Sequence, residues 1–213
     1  MKGRLITAKM IAGFKEHLIL EERSAATIQK YIRDVKAFAE YARLCQAAQR
    51  RHNERLNLIL QTICGTGIRV SELQFITVEA AKCGEAVVRC KGKTRTVFLV
   101  KALRQKLLRY AAKQNIQSGM IFVTRTGKPI SRTNIWREMK ALCVEADVNP
   151  QKVFPHNLRH LFARVFYGIE KDIANLADIL GHSSINTTRI YNLHRHGTPP
   201  PDGNYAPDPM KKA

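Results

Sequence analysis

Apolar residues recur every three or four positions along most of the chain, which is the spacing of amphipathic helices that bury one face. Thr7 and Ser24 precede the first two runs and Ser131 precedes a later one, so each is predicted to cap the start of a helix. The apolar positions are Ile11, Phe14 and Leu18; Ile28, Tyr31, Ile32, Val35, Phe38 and Ala39; Leu56, Ile59, Leu60 and Ile63; Leu103, Leu107, Leu108 and Ala111; and Ile135, Met139, Leu142 and Cys143. The pattern predicts a mainly α-helical protein.

Two neighbouring segments have the composition of β-strands instead. Residues 86–90 and 94–100 flank a turn at Lys91-Gly92-Lys93, and this arrangement predicts an antiparallel hairpin. Residues 120–124 predict a third short strand, which a turn at residues 126–129 ends. The predicted fold class is therefore mainly α with a small antiparallel β-sheet.

Glycines are predicted to end two of the helices beside charged side chains. Gly65 and Gly67 break the helix that begins near residue 54, and a new helix is predicted to carry Arg69. Gly181 ends the helix that contains Ile173, Leu176 and Leu180, so His182 is predicted to lie just beyond a helix end.

The segment from Val153 to Tyr191 contains the densest set of chemically active side chains. Pro155 suits the first turn of a helix, and such a helix would place His156 and Arg159 on one face. Together with His182 and Tyr191 they form a cationic group with one nucleophile, which predicts a site for a phosphodiester.

The charge of the chain indicates a polyanionic partner. Lys and Arg number 36 against 17 Asp and Glu, which gives a net charge of +19. Nucleic acid is favoured over an acidic membrane surface, and a merely soluble basic protein is the alternative. The sequence contains no run of 18 apolar residues, so no membrane span is predicted. Charged residues interrupt the N-terminus too often for a secretory signal.

The cysteines indicate a reducing compartment. Their number is odd and no C-x-x-C pair is present, so they are predicted to be reduced thiols and neither a disulfide framework nor a zinc site. They are Cys45, Cys64, Cys83, Cys90 and Cys143. The predicted location is the cytoplasm, in association with the nucleoid.

Five segments, taken in order, resemble the tyrosine recombinase (phage integrase-like) family of site-specific DNA recombinases. They are the sequence TGIRVSEL at 66–73, the hairpin around Lys91, the H-x-x-R box that starts at His156, the sequence LGH at 180–182, and Tyr191. The resemblance extends from about residue 43 to Tyr191. It implies the catalytic-domain fold of that family, double-stranded DNA as partner, DNA integration and recombination as activity, and no metal or small-molecule cofactor.

A phosphodiester resists attack because its charge repels nucleophiles, so two arginines are needed to neutralise its non-bridging oxygens. Arg69 and Arg159 are predicted to do so. The resemblance implies that Tyr191 attacks phosphorus and forms a 3′-phosphotyrosyl link with a free 5′ hydroxyl. His156 is predicted to accept the phenol proton and later to return it.

The remaining polar residues are predicted to support this reaction. Lys91 would protonate the departing 5′ oxygen, with Lys93 as its rival, and both could instead position phosphates. His182 would donate a hydrogen bond to the scissile phosphate. Glu72 is predicted to support Arg69, and His160 is predicted either to have a packing role or to support the residues of the site.

The resemblance also suggests three parts of the chain. Residues 1–42 are predicted to be a remnant of the N-terminal core-binding helices, 43–192 the tyrosine recombinase catalytic domain, and 193–213 a disordered Pro/Gly-rich tail. Self-association on DNA, as in the family tetramer, is a further expectation. The alternative is a truncated, non-catalytic DNA-binding relic of an integrase.

Overall fold

The computed structural model describes residues 6–90, 92–182, 184 and 186–188, apart from the side chain of Lys93. Within these residues, helices surround one antiparallel hairpin. The elements are α1 (Ala8–Leu20), α2 (Ala25–Arg50), α3 (Glu54–Thr66), a 3₁₀ helix (Val70–Phe75), α4 (Val78–Cys83), β1 (Glu85–Cys90), β2 (Lys93–Phe98), α5 (Lys101–Lys113), α6 (Arg132–Ala146), a second 3₁₀ helix (Pro150–Lys152), α7 (Pro155–Glu170) and α8 (Ile173–Leu180). The predicted fold class, mainly α with a small antiparallel sheet, is confirmed.

The three predicted helix caps are present. Thr7 accepts a hydrogen bond from the backbone N–H of Met10 at 3.2 Å, and Ser24 accepts one from the N–H of Thr27 at 3.3 Å. The hydroxyl of Ser131 accepts from the third residue of α6 at 3.1 Å. Each cap satisfies one of the N–H groups that have no partner within the helix.

Helix α2 is longer than expected. The predicted domain boundary falls between residues 42 and 43, but one helix runs from Ala25 to Arg50 because neither glycine nor proline interrupts it. Leu44, Ala47 and Ala48 are buried on its continuing apolar face. The predicted boundary at residues 42 and 43 therefore lies inside a continuous helix, and the division of the chain into three parts stays a prediction.

Three local predictions need correction. Arg69 is the residue before the 3₁₀ helix and not part of an α-helix. The short helix α4 was not predicted, since its six residues are too few for a clear period. Residues 120–124 do not form a strand but make only the isolated bridges Thr77↔Met120 and Val123↔Pro129. Their apolar side chains enter the core without strand pairing.

The apolar core fixes the positions of helices α7 and α8, which lead to the candidate site. One large apolar cluster joins α2, α3, α5 and α6 with the hairpin and the start of α7. A smaller cluster of Ala163, Leu176 and Leu180 packs α8 against α7. An ion pair between Asp34 and Arg164, at 3.2 Å, links α2 to α7.

The hairpin is regular, with pairs that run from Glu85↔Phe98 to Cys90↔Lys93.

None of the five cysteines forms a disulfide. No helix among the described residues is long and apolar enough to cross a bilayer.

Candidate active site

Arg159 lies on the first turns of α7, which begins at Pro155 as predicted. Only 2% of the residue is exposed. Its Nη1 donates to the carbonyl of Gly67, and its Nη2 donates to the carbonyl of Leu180 at 2.6 Å. The same Nη2 lies 3.2 Å from Nε2 of His182. Arg159 is therefore a buried cation that joins the ends of α3 and α8.

Arg69 approaches the same place from the loop after α3 and is more accessible, with 34% of its side chain exposed. Its Nη1 donates to Oε1 of Glu72 at 2.8 Å, and its backbone N–H donates to Oε2 at 2.8 Å. Its Nη2 donates to the carbonyl of Gly181 at 3.2 Å. The contact that the sequence predicted between Glu72 and Arg69 is present.

The C-terminal end of α8 is the point where these side chains meet. Gly181 ends the helix in the left-handed conformation, with φ 64°, as predicted. Three carbonyls there accept from three arginines: Ile179 from Nε of Arg95 at 2.9 Å, Leu180 from Arg159, and Gly181 from Arg69. The C-terminal end of a helix is the negative end of its dipole, which favours nearby cations. The guanidinium groups at this end of α8 come from arginines on other elements.

Glu72 is the buried anion of this cluster, with 1% of its side chain exposed. Arg95 donates to both carboxylate oxygens, from Nη1 at 3.2 Å and from Nη2 at 2.8 Å. Burial alone would raise the pKa of Glu72, but the hydrogen bonds from Arg95 and Arg69 outweigh it and hold the pKa below its ordinary value. The carboxylate is therefore ionised at neutral pH.

His182 lies directly after α8, as predicted, and its two ring nitrogens have different partners. Nδ1 is 2.7 Å from the hydroxyl of Thr188, and Nε2 faces the guanidinium of Arg159. A guanidinium can only donate, so Nε2 accepts and the ring proton resides on Nδ1. Burial first, and then the charges of Arg159 and Arg69, lower the pKa of His182 to about 4. The ring is neutral at pH 7.

His156 lies on the first turn of α7, three residues before Arg159, and is exposed. Although the residue as a whole is exposed, partial desolvation of its ring, and then the charges of Arg159, Arg132 and Arg69, hold the pKa of His156 below its ordinary value. A neutral imidazole of this kind can accept a proton at pH 7. Its ring meets that of His160 edge-on, with centroids 4.4 Å apart.

A hollow of ≈260 Å³ opens beside these groups. The residues that line it are Arg69, Cys90, Thr94, Arg95, Asp178, Gly181 and His182. Among the described residues, no group of three His, Cys, Asp or Glu side chains could hold a metal ion. The arrangement instead offers guanidinium donors and neutral imidazoles, which suit a phosphate or phosphodiester.

Four of the predicted site residues, Arg69, His156, Arg159 and His182, lie in one cluster. Tyr191 and Lys91 lie outside the described residues, as does the side chain of Lys93, so their predicted roles stay predictions.

The sequence reasoning missed three further residues. Arg95 lies on a predicted strand, where an arginine is read as a surface charge, and its partner Glu72 is 23 residues away. Thr188 follows His182 by six residues, with no spacing rule to link them. Arg132 begins α6, and only the fold brings its charge near His156.

Comparison with known proteins gives the same family as the motifs. The model of the phage integrase family matches residues 36–197. The tyrosine recombinase XerH of Campylobacter jejuni is 31% identical over 189 residues, which cover 85% of this chain and 50% of that protein. XerC of Erythrobacter litoralis is 30% identical over 174 residues, with 78% and 56% covered. The chain spans about half the length of these recombinases.

Solved structures show the same fold. The crystal structure of XerA recombinase has a TM-score of 0.61 and 26% identity, with 90% of this chain and 80% of that chain covered. A pre-cleavage complex of XerH with its difH substrate has a TM-score of 0.61 and 21% identity, with 72% and 48% covered. The family model spans most of the chain, and the chain belongs to the phage integrase family of tyrosine recombinases.

Proposed function

We propose that this chain cuts and rejoins DNA strands through a 3′-phosphotyrosyl intermediate. The observation that supports it best is the meeting of Arg69, Arg159 and His182 at the end of α8. His156 lies within reach of their charges, although the four residues come from three separate parts of the chain. Family membership agrees with this assignment, and the related XerH was solved with a DNA substrate.

The first step is capture of the scissile phosphate by the arginines. Arg69 is partly exposed and makes a single guanidinium contact to Glu72, so its remaining N–H groups can reach a non-bridging oxygen. Arg159 is buried and donates to two carbonyls, so it exchanges a carbonyl for a phosphate oxygen when DNA binds. Both charges then offset the negative charge that grows in the transition state.

The chemical step includes two proton transfers: the phenol of Tyr191 loses a proton, and the departing 5′ oxygen gains one. The phenol oxygen of Tyr191 bonds to phosphorus, and its proton passes to neutral His156. The bond from phosphorus to the 5′ oxygen breaks, and Lys91 or Lys93 protonates that oxygen. In the reverse sense a 5′ hydroxyl attacks the phosphotyrosyl ester, which restores the phosphodiester and the phenol.

His182 acts on Arg159 before DNA binds and on the phosphate afterwards. Its Nε2 accepts from Arg159 in the present arrangement. Once Arg159 turns toward the phosphate, a shift of the ring proton from Nδ1 to Nε2 gives the predicted donor, with the Thr188 hydroxyl donating to Nδ1 in turn.

Double-stranded DNA is the proposed partner, and the net charge of +19 supports it. Residues 43–192 would form the catalytic unit, with residues 1–42 as core-binding helices and 193–213 as a tail. Self-association on DNA is part of the same proposal.

Covalent trapping tests the proposed activity. Sheared and sparsely nicked genomic DNA from the source organism serves as the probe, because the target sequence is unknown and a nick near the cut lets the leaving fragment diffuse away. Wild-type protein should carry DNA into a precipitate of potassium dodecyl sulfate, and Tyr191→Phe should not. Equal recovery with both proteins contradicts the proposal.

The second candidate is a non-catalytic DNA-binding relic. The observation that favours it is Arg159, which is buried with both terminal nitrogens donating to carbonyls. Salt-sensitive binding to duplex DNA, with no covalent adduct under any condition tried, is the outcome that selects this alternative.

A further inference from the structure

Arg95 holds the hairpin against the candidate active site through every nitrogen of its guanidinium. Nη1 and Nη2 donate to Glu72, and Nε donates to the carbonyl of Ile179. Only 11% of the side chain is exposed. Its Cδ lies so close to Gly181 that a Cβ built there would be 2.8 Å away.

These contacts join three elements that the sequence keeps apart. Arg95 belongs to β2 and pairs with Val88 across the hairpin. Glu72 belongs to the 3₁₀ helix that follows Arg69, and Ile179 belongs to the last turn of α8. A two-stranded hairpin has little stability of its own and twists easily, so buried charge-assisted hydrogen bonds near its turn determine where that turn lies.

The hairpin turn carries both predicted proton donors for the leaving oxygen. Lys91 and Lys93 precede Arg95 by four and two residues. We propose that Arg95 is a positioning residue, which fixes the hairpin turn relative to the α8 end so that a turn lysine reaches the departing 5′ oxygen. This inference rests on the proposed strand-cleavage function.

Arg95 has a second effect on the same site. Glu72 is fully buried, so any cation that can reach it is strongly attracted. Since Arg95 supplies two of its hydrogen bonds, Arg69 needs to supply only one from its guanidinium. Apart from the Nη2 hydrogen bond to Gly181, the remaining donors of Arg69 are thereby left for the phosphate.

A change of leaving group separates proton donation from the other steps. In one DNA duplex the scissile phosphate has the ordinary 5′ oxygen, and in the other that oxygen is replaced by sulfur. A thiol has a pKa of about 8.5, so the sulfur can leave as a thiolate and needs no proton donor. Both duplexes carry the sequence recovered from the wild-type adducts.

For Arg95→Gln and Arg95→Lys we expect cleavage of the oxygen duplex to fall by about 10²-fold or more, the usual contribution of a proton donor. Cleavage of the sulfur duplex should fall by about tenfold at most, a loss that comes from Arg69 being drawn toward Glu72 and that affects both duplexes alike. Arg95→Lys keeps the charge beside Glu72 but lacks the planar fork, so it tests positioning in a protein that retains its buried ion pair. Unfolding in urea checks that each variant is folded under the assay conditions.

Two further variants calibrate the assay. Arg69→Gln should lose both cleavages, because phosphate neutralisation is needed for either leaving group. Arg89→Gln changes an exposed arginine of the same hairpin, and its ratio of the two rates should equal that of wild type.

An equal loss on both duplexes in the folded Arg95 variants overturns the positioning role. Failure of the proposed function gives a different result, since wild-type protein would then form no Tyr191-dependent adduct with either duplex.

Discussion

At the scale of single residues, the site holds strong cations beside neutral imidazoles. Arg159 donates toward Nε2 of His182, and the pKa values of His182 and His156 both lie below the ordinary value. Burial of the two rings first, and then the charges of the neighbouring arginines, lower these pKa values, so both imidazoles are uncharged at neutral pH. The site thus combines positive charge with neutral imidazoles in the same place.

The pKa of His182 predicts a loss of stability in mild acid. A histidine in the unfolded chain has a pKa of about 6.5. In the folded chain the pKa of His182 is about 4. Between these values the unfolded state binds more protons, so the free energy of unfolding falls as the pH decreases from about 6.5 to about 4. We expect this residue to contribute a loss on the order of 2–3 kcal/mol over that window. Urea unfolding at several pH values measures it.

The matched control is His182→Gln, which keeps a polar side chain but does not titrate. Its stability should depend less on pH in that window, while His156 leaves a smaller dependence of the same sign. The same pH dependence in both proteins would contradict the environment described for His182.

The two arginines should differ in what they contribute to stability. Arg159→Leu leaves the buried carbonyls of Gly67 and Leu180 without their donor, which should cost about 2–4 kcal/mol. Arg69→Leu removes a more exposed side chain, and Glu72 keeps Arg95, so the cost should be about 1 kcal/mol. Urea unfolding at pH 7 compares them. Equal losses would mean that Arg159 is not the buried member of the pair.

At the scale of elements, the site is built from chain ends and turns. Gly67 ends α3 with φ 65°, and its carbonyl accepts from Arg159. A Cβ at this position would lie 2.5 Å from Cδ1 of Phe162 and 2.9 Å from Cδ2 of Leu180. The close approach of α7 and α8 to the end of α3 therefore depends on the missing side chain.

Alanine at the two neighbouring glycines should have opposite effects. Gly67→Ala combines a left-handed backbone with a clash against α7 and α8, and we expect a loss of about 2–4 kcal/mol. Gly65→Ala lies within α3 with nothing within 4 Å, and we expect a gain of up to about 1 kcal/mol. Thermal unfolding followed by circular dichroism measures both. A neutral result for Gly67→Ala would refute the tight packing.

Local signals predicted the elements well where they depend on a few neighbouring residues. The caps at Thr7, Ser24 and Ser131, the start of α7 at Pro155 and the end of α8 at Gly181 all follow from short-range backbone chemistry. The domain boundary between residues 42 and 43 comes from the resemblance, whereas the helical pattern continues through it. Residues 120–124 look like a strand, but pairing depends on a partner that the sequence does not specify.

Site residues were predictable where a motif contains them. Arg69, His156, Arg159 and His182 each stand in a short motif. Arg95 and Thr188 gain their place only from contacts across the fold, because Arg95 meets a carboxylate and a helix end from different elements. The hydrogen bonds of Arg95 join residues far apart in the sequence, and such bonds produce no periodic pattern of residues.

At the scale of the whole molecule, the large positive charge should govern the encounter with DNA. A net charge of +19 on 213 residues creates an attractive field that salt screens. Each phosphate that the protein neutralises releases counterions, which makes the affinity fall steeply as salt rises.

Duplex binding should therefore be salt-labile. For about five phosphate contacts, the slope of log affinity against log salt is about −4.5. Fluorescence anisotropy with labelled duplex DNA, from low to moderate salt, measures this slope. Tyr191→Phe should bind with the same slope, since the hydroxyl is needed for chemistry and not for charge. An affinity that persists in high salt would argue against this electrostatic description.

The most direct measurement is identification of the amino acid that carries DNA after cleavage. The covalent product is digested with trypsin and nuclease and analysed by mass spectrometry. We expect a nucleotide 3′-phosphate on the phenol oxygen of Tyr191, and no such peptide when Arg69 is replaced by glutamine. Attachment to another side chain, or a Tyr191 adduct that forms equally well without Arg69, would contradict it.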